Sequence, residues 1–532
     1  MSFAAPRQPR AAGWEDGQVA DLLNACEYLL DRRLEAGEGG RVALEQGGAR
    51  ITYAELAARV AQVAGALRAT GVRPEERVPL VMLDGVELVA SFLGALRAGA
   101  VPVPMSTMLT GADLAFQCND ARARVAVASG ALGPVVKDVV ASCDELTDLV
   151  IAGDGDVEVA VGGPVRVHGF GPWTADQPAE APAYATWPDS PAFWLYTSGT
   201  TGRPKAAVHR HVDLPYTAET YGRQVLGITA EDRCYSVAKL FFAYGLGNSL
   251  TFPLSVGACA VLDPARPTPP GVAATVREHR PTLFFAVPTF YAALLAADLP
   301  RDTFASVRLA VSAGEPLPAG LYDRFKERFG VDVLDGLGTT EALHIFISNR
   351  PGDIRPGTTG YVVPGYRVRL VDDDGNPVPP GETGHLLVSG ESVATGYWCR
   401  TATSRRTFLG EWLRTGDVYA CSEDGVLTYA GRSDDMIKAG GIWVSPAEVE
   451  ATLVQHPDVL EAAVVGRPTP EGLHEPTAYV VRLPGRSPTP QELVEFCRER
   501  LAAFKRPRQV VFLDDLPKTA TGKIQRYKLR DA

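Results

Sequence analysis

The sequence predicts an α/β protein: a large N-terminal body of several α/β subdomains with a β-subdomain, plus a small C-terminal α+β lid domain joined to it by a hinge. Three observations carry this expectation. From residue 52 to 151, helical periodicity alternates with short apolar runs, the pattern of βαβ units on a parallel sheet. Residues 362–400 are rich in strand and turn signals, among them Val368-Arg369-Leu370-Val371, Asp374-Gly375 and His385-Leu386-Leu387-Val388. A short polar break, Gly431-Arg432-Ser433-Asp434-Asp435-Met436-Ile437-Lys438, then precedes a compact C-terminal unit. Such a break is what a hinge requires, and it divides the chain into 1–431 and 432–532.

The elements follow in order. Residues 1–50 read as a loose arm and an amphipathic helix from Val19 to Leu34. Thr52 and Glu55 form a capping box, Leu56, Val60, Val63 and Leu67 follow at helical spacing, and Gly71 ends the helix. A strand (Val78 to Leu83), a helix (Val86 to Arg97) and a strand (Val101 to Val103) come next, and strand-like runs recur at Val125–Ala128 and Leu149–Ile151. Residues 153–190, rich in Gly, Pro and Asp, predict a surface excursion. Further strands are expected at Asp232–Ala238, Leu283–Thr289 and Leu309–Ser312, the last running into a turn at Gly314. The C-terminal unit predicts a helix (Pro446 to Gln455), strands (Ala462 to Gly466 and Thr477 to Leu483), a helix (Pro490 to Ala502) and a strand (Gln509 to Leu513).

One stretch stands apart: Tyr196-Thr197-Ser198-Gly199-Thr200-Thr201-Gly202-Arg203-Pro204-Lys205. A strand, Phe193 to Tyr196, leads into a loop of hydroxyls and glycines that closes on a lysine. Glycines let successive N–H groups approach an anion, four hydroxyls add donors, and Lys205 adds a positive charge, so the loop suits a phosphate. Its spacing is not that of a Walker A loop. Composition alone leaves a plain surface loop equally open.

The order Thr-Ser-Gly-Thr-Thr-Gly-x-Pro-Lys resembles the phosphate-binding signature of the acyl-adenylate-forming superfamily, and further motifs follow in that superfamily's order. Leu334-Asp335-Gly336-Leu337-Gly338-Thr339-Thr340-Glu341 is similar to its Tyr-Gly-x-Thr-Glu motif, with Leu337 where Tyr is usual. Gly416-Asp417, the Gly431–Lys438 break and Thr521-Gly522-Lys523-Ile524-Gln525-Arg526 match three more. The resemblance implies ATP, Mg²⁺ and coenzyme A. It places Thr197, Ser198, Gly199, Thr200, Thr201 and Lys205 at the phosphates. Gly314, Glu315, Pro316, Asp335, Gly336, Leu337, Gly338 and Thr339 would border the nucleotide. Thr340 would meet the α-phosphate and Glu341 would hold the Mg²⁺. Asp417 and Arg432 would bind the ribose, with Arg432 reaching the phosphate. Asp434 would be the hinge, Lys438, Gly440 and Gly441 would face the pantetheine, and Lys523 would be the catalytic lysine alongside Thr340 and Glu341.

Within that superfamily, Lys239-Leu240-Phe241-Phe242-Ala243-Tyr244-Gly245-Leu246-Gly247-Asn248 and Ala342-Leu343-His344-Ile345 are similar to benzoate-CoA ligases. The implied acyl pocket holds Phe242, Ala243, Tyr244, Gly245, Ala313, Gly338, His344 and Ile345. His344 is equally readable as a core histidine. The first of these runs lacks the Asp that amino-acid-activating relatives place at its start, and a buried ammonium without a partner is costly. The expected substrate is therefore benzoate or a hydroxy- or aminobenzoate, activated as the acyl-AMP and passed to CoA. Loading of a separate carrier protein is the alternative, and a homodimer is left open.

Composition sets the remaining bounds. The 532 residues are 46% hydrophobic and 22% charged, enough for more than one core. A net charge of -11 speaks against nucleic-acid or anionic-membrane surfaces. No run reaches the roughly 20 apolar residues of a membrane span. The eight cysteines are scattered, without metal-ligand spacing, and Met1–Asp16 holds no apolar run, so a cytoplasmic location is expected.

Overall fold

The structure is a computed structural model, and it describes residues 22–153, 165–197, 203–433, 435–439, 442–468, 474–502, 505–518 and 524–530. The body is organised on two large sheets. In the N-terminal five-stranded sheet the order is Val101–Pro104, Arg77–Val81, Val125–Ser129, Asp148–Ala152, Arg166–Gly169, all parallel. The first four strands are buried almost throughout, which explains why they read as apolar runs rather than as alternation; the edge strand Arg166–Gly169 is mostly exposed. The helices Tyr53–Ala69 and Val86–Ala98 pack on this sheet, the first entered through the Thr52–Glu55 capping box. Gly71, just past its C-cap, takes φ 89°, the left-handed conformation expected of a helix-ending glycine.

The second sheet has nine strands. Its parallel centre runs Val42–Gln46, Cys259–Leu262, Arg233–Ser236, Leu283–Ala286, Leu309–Ala313, Val333–Gly338. Antiparallel strands close both edges: Ala49–Thr52 on one side, and Ile345–Ser348 with Tyr361–Val362 on the other. The β-subdomain is antiparallel, built on Arg367–Val371, Thr383–Ser389, Trp412–Cys421 and Leu427–Arg432. Beyond it, a hairpin (Ile437–Ala439 with Ile442–Val444) leads to the C-terminal sheet of Val459–Pro468, His474–Arg482 and Gln509–Leu513, flanked by helices Pro446–Val454 and Pro490–Arg498. The molecule is thus the expected large α/β body with a β-subdomain and a smaller α+β domain.

Two expectations need correction. Residues 22–24 are not helical, and helical structure begins just before Glu27–Asp31. Leu23 instead donates its N–H to the Thr186 carbonyl (2.7 Å) and Asn24 its side chain to the Leu96 carbonyl (2.8 Å). The 153–190 excursion also contains a fifth strand, Arg166–Gly169, and a short helix, Phe170–Ala175. Asp148 recruits that strand: it accepts from Arg166 and pairs with His168, both at 2.8 Å.

Candidate active site

The site grows from the C-terminal ends of the parallel strands in the nine-stranded sheet, the usual ligand crevice of such folds. The strand Val333–Gly338 leaves the sheet there and passes through Thr339 into a tight turn, Thr340–Ala342. Three consecutive carbonyls of this turn are tied to other segments. The Thr340 carbonyl accepts from His209 Nε2 (2.8 Å), the Glu341 carbonyl from the Ala394 N–H (2.8 Å), and the Ala342 carbonyl from the Ser392 hydroxyl (2.8 Å). Leu343, next in the chain, takes φ 67°, a strained value for a non-glycine residue that only surrounding contacts can hold.

Glu341 is buried. Its carboxylate accepts from the Thr339 hydroxyl through Oε2 and from the Tyr397 hydroxyl through Oε1 (2.6 Å). Burial would raise its pKa, but these two donors and the charge of Lys205 outweigh burial and hold it below the ordinary carboxylate value. The Lys205 Nζ lies 3.9 Å from the centre of the Tyr397 ring, a cation–π contact. Burial lowers the Lys205 pKa, while Glu341 opposes that shift. The hairpin Pro191–Thr197 with Lys205–Arg210 places this lysine, and its second strand pairs with residues 395–398, which brings Tyr397 alongside. Thr197 ends the first strand of the hairpin; Ser198, Gly199, Thr200 and Thr201 lie outside the described residues.

Asp417 and Arg432 face each other across neighbouring strands, with Arg432 Nη1 donating to Asp417 Oδ1 (2.8 Å) and to the Thr415 carbonyl (3.0 Å). Burial works against the Arg432 charge, but Asp417 overrides it and raises the guanidinium pKa further. Gly416 makes the pair fit: it takes φ 79°, and a Cβ there would sit 2.7 Å from Arg432 Nη2. Lys205, Glu341, Asp417 and Arg432 therefore form one electrostatic neighbourhood. Asp335, on the strand beside Ser312, is buried, and burial pushes its pKa up to about 7 against N–H groups of Leu317 and Gly336. Asp335 Oδ1 and Ser312 Oγ are both buried without a partner among the described residues. The loop Gly314-Glu315-Pro316 connects Leu309–Ala313 to that Leu317.

On the other side of the turn lies an apolar wall. Phe242 precedes the short helix Ala243–Leu246, and the Tyr244 hydroxyl donates to the Val311 carbonyl (3.0 Å), anchoring the wall to the sheet. His344 is buried among Tyr221, Tyr244 and Phe252, with ring centroids 5.4, 5.6 and 4.5 Å away. Its Nε2 faces the Tyr244 carbonyl (3.3 Å), and its Nδ1 has no partner among the described residues. Burial depresses its pKa to about 3, so it is neutral. Gly247 leaves the room it needs, since a Cβ there would meet His344 Cδ2 at 2.3 Å. Ala313, Gly336, Gly338 and Ile345 border the same region, Ala313 opposite Gly336 and Gly338 opposite Ile345.

A family model described as AMP-binding enzyme matches residues 30–398, well over half the chain, and one described as AMP-binding enzyme C-terminal domain matches 448–523. The chain belongs to the AMP-binding enzyme family. It is 46% identical to a benzoate–CoA ligase of Thauera aromatica over 97% of either chain. Among solved structures of the family, a benzoate CoA ligase from Burkholderia xenovorans LB400 aligns with TM-score 0.88 at 47% identity, over 96% of this chain and 100% of the other. The anthranilate CoA ligase AuaEII in complex with anthranoyl-AMP aligns with TM-score 0.91 at 43% identity, over 96% and 98%.

The remaining residues implied by resemblance to the family divide by where they fall. Asp434, Gly440, Gly441 and Lys523 lie outside the described residues. Lys438 is in the strand Ile437–Ala439, with its side chain outside them. The residues on either side of 519–523 are described. Lys518 pairs with Ile524 and binds Glu461 (2.7 Å), and Arg526 binds Glu450 (2.8 Å). Arg530 pairs with Asp435, close to the expected hinge. Sequence reasoning missed His209 and Tyr397. It also missed Asp84, buried with its pKa raised to about 6, whose carboxylate accepts from the Leu240 N–H (3.1 Å) beneath the apolar wall. None of the three stands in a spacing that marks chemistry; Tyr397 follows a glycine, as many loop aromatics do.

Proposed function

We propose that the chain is an ATP-dependent aryl-CoA ligase, converting benzoate or a hydroxy- or aminobenzoate to its CoA thioester through an acyl-AMP. The AMP-forming acid–thiol ligase chemistry is that of its family. The aryl substrate rests chiefly on one observation: a neutral His344 inside a cage of three aromatic rings, next to the Glu341 corner. The benzoate and anthranilate ligases among its relatives support the same class. An apolar slot discriminates weakly, by about 1–3 kcal/mol per added hydroxyl or methylene, so the choice among benzoates is a matter of degree.

The chemistry follows from the charges. A carboxylate is a poor electrophile. Attack of its oxygen on the α-phosphorus, with loss of pyrophosphate, converts it to a mixed anhydride. Negative charge gathers on both sides of that phosphorus, and such transfers depend on positioning and charge placed in advance. Lys205, Arg432 and Lys523 supply positive charge, Thr340 meets the α-phosphate, and Asp417 accepts from the ribose. Glu341 fits Mg²⁺, which takes hard oxygen ligands and often only one or two protein carboxylates: it is deprotonated, oxygen-bearing and held in place by two donors. Mg²⁺ bound there would neutralise phosphate charge.

In the second half-reaction the thiol sulfur bonds to the acyl carbon, the acyl–phosphate bond breaks, AMP leaves, and the thiol proton passes to solvent. The unit 432–532, turning at Asp434, withdraws Lys523 and presents Lys438, Gly440 and Gly441 to the pantetheine. The eight cysteines are all free, which supports the cytoplasm as the location. Among the described residues no helix is long and apolar enough to cross a membrane.

The test is carboxylate-dependent exchange of labelled pyrophosphate into ATP across benzoate, its hydroxy and amino derivatives, cinnamate, hexanoate and phenylalanine. Exchange with a benzoate is expected. Exchange with hexanoate or phenylalanine alone would overturn the aryl reading. A second arm offers CoA or a phosphopantetheinylated carrier protein, with CoA the expected acceptor. Lys523→Ala should lose exchange yet still convert supplied aroyl-AMP to thioester.

A further inference from the structure

The His209 side chain is fully buried, stacked on Phe193 (centroids 5.0 Å apart), and binds at both ring nitrogens. Nδ1 lies 2.9 Å from Asp213 Oδ2, and Nε2 lies 2.8 Å from the Thr340 carbonyl. A carbonyl oxygen only accepts. Asp213 is also an acceptor, because its two oxygens take the Arg210 N–H (3.0 Å) and Arg210 Nε (3.2 Å). Nε2 therefore donates to the Thr340 carbonyl. The ring is clamped between the Asp213 carboxylate and the turn that carries Thr340 and Glu341. The other charged groups nearby are Asp189, paired with Arg210 (2.7 Å), Glu391 (3.8 Å from Arg210), and beyond the turn Glu341 with Lys205.

We propose that His209 is a positioning residue for the adenylation half-reaction, holding the Thr340 carbonyl so that Thr340 and Glu341 face the nucleotide. The turn needs such a hold. Its neighbour Leu343 is strained, and the Thr340 carbonyl otherwise accepts only the Leu343 N–H (3.1 Å) among the described residues. Because His209 belongs to the same hairpin as Lys205, the clamp also ties the phosphate loop's base to the carboxylate turn. The inference rests on the ligase reading above, because the half-reaction it serves is that reaction's first step.

Two substitutions separate positioning from packing. The amide nitrogen of His209→Gln falls near the place of Nε2 and keeps the donor to Thr340; that of His209→Asn falls near Nδ1 and keeps only the donor to Asp213. Pyrophosphate exchange should stay within about threefold in H209Q and fall about 100-fold in H209N, the scale of a misplaced catalytic group. Thioester formation from supplied aroyl-AMP, which uses neither ATP nor Mg²⁺, should be unchanged in both. Equal losses in the two variants, an unaffected H209N, or a parallel loss of both half-reactions would overturn the proposal. Should H209N not fold, the ¹⁵N spectrum of histidine-labelled wild-type enzyme at neutral pH decides: His209 Nε2 should carry a proton, and a bare Nε2 overturns the proposal. Wild-type exchange with no aryl acid would sink the substrate reading instead, and the His209 comparison is then run with whichever carboxylate supports exchange.

Discussion

Glu341 and His344 stand three residues apart at the two ends of one turn, both buried, and their charge states are opposite. Burial opposes the charged form of each. At Glu341 it is outweighed by the hydroxyls of Thr339 and Tyr397 and by Lys205, and the carboxylate stays ionised. At His344 the neighbours are three aromatic rings and one carbonyl; the Tyr244 carbonyl alone opposes burial, burial outweighs it, and the imidazole stays neutral. Burial alone therefore does not set ionisation; the donors and charges delivered by distant segments do. The result is a charged cluster directly against an uncharged, aromatic one.

The largest effect should come from removing the charge on the first side. Glu341→Gln should lower pyrophosphate exchange by roughly 10²–10³-fold, the scale of one preorganised electrostatic group. Thioester formation from supplied adenylate should be little changed. An equal fall in both half-reactions would assign Glu341 a structural role only. A smaller effect is expected from Tyr397→Phe, which removes one donor and keeps the ring over Lys205. A hydrogen bond to a charged group contributes roughly 1.5–3 kcal/mol, so exchange should fall by about 10- to 100-fold. With its charged form less favoured, Glu341 should titrate higher, and the acid limb of the exchange–pH profile should move to higher pH. An unmoved limb would break the link between Tyr397 and the ionisation of Glu341.

The smallest effect concerns the other side and reads out as stability. The folded pKa of His344, about 3, lies below that of an unfolded histidine, roughly 6.5. The unfolded chain takes up the proton first, so this group removes stability as pH falls from about 6.5 towards 3. Asp335 acts oppositely: with a folded pKa of about 7, it removes stability as pH rises from roughly 4 to 7. His344→Phe isolates the first contribution. Between pH 6.5 and about 3, denaturation midpoints of the variant should fall less steeply than those of the parent. The two slopes should differ by up to about 1.4 kcal/mol per pH unit. Parallel slopes would mean that His344 is already protonated in the folded state.

Local signals in the sequence held up well. The Thr52–Glu55 capping box and the strand Gln509–Leu513 stand as read, because each depends on hydrogen-bonding or alternation within a few residues. The strand Arg166–Gly169 was hidden because it is recruited by Asp148 rather than by its own composition. Motif order also pointed to the family, since loops that meet a phosphate or a diol need particular residue types at fixed spacing.

What the sequence by itself determined, then, is the α/β architecture with its smaller C-terminal domain, the family and the residue types in its motifs. Tertiary structure alone decided how those residues are held. Tyr397 reaches Glu341 across 56 residues of chain, His209 reaches Thr340 across 131, and Asp84 reaches Leu240 across 156. The physical reason is that propensity, capping and spacing act within a turn or two of the chain. The ionisation of a buried group depends instead on every donor and charge within a few ångströms, and only the packed fold brings those together.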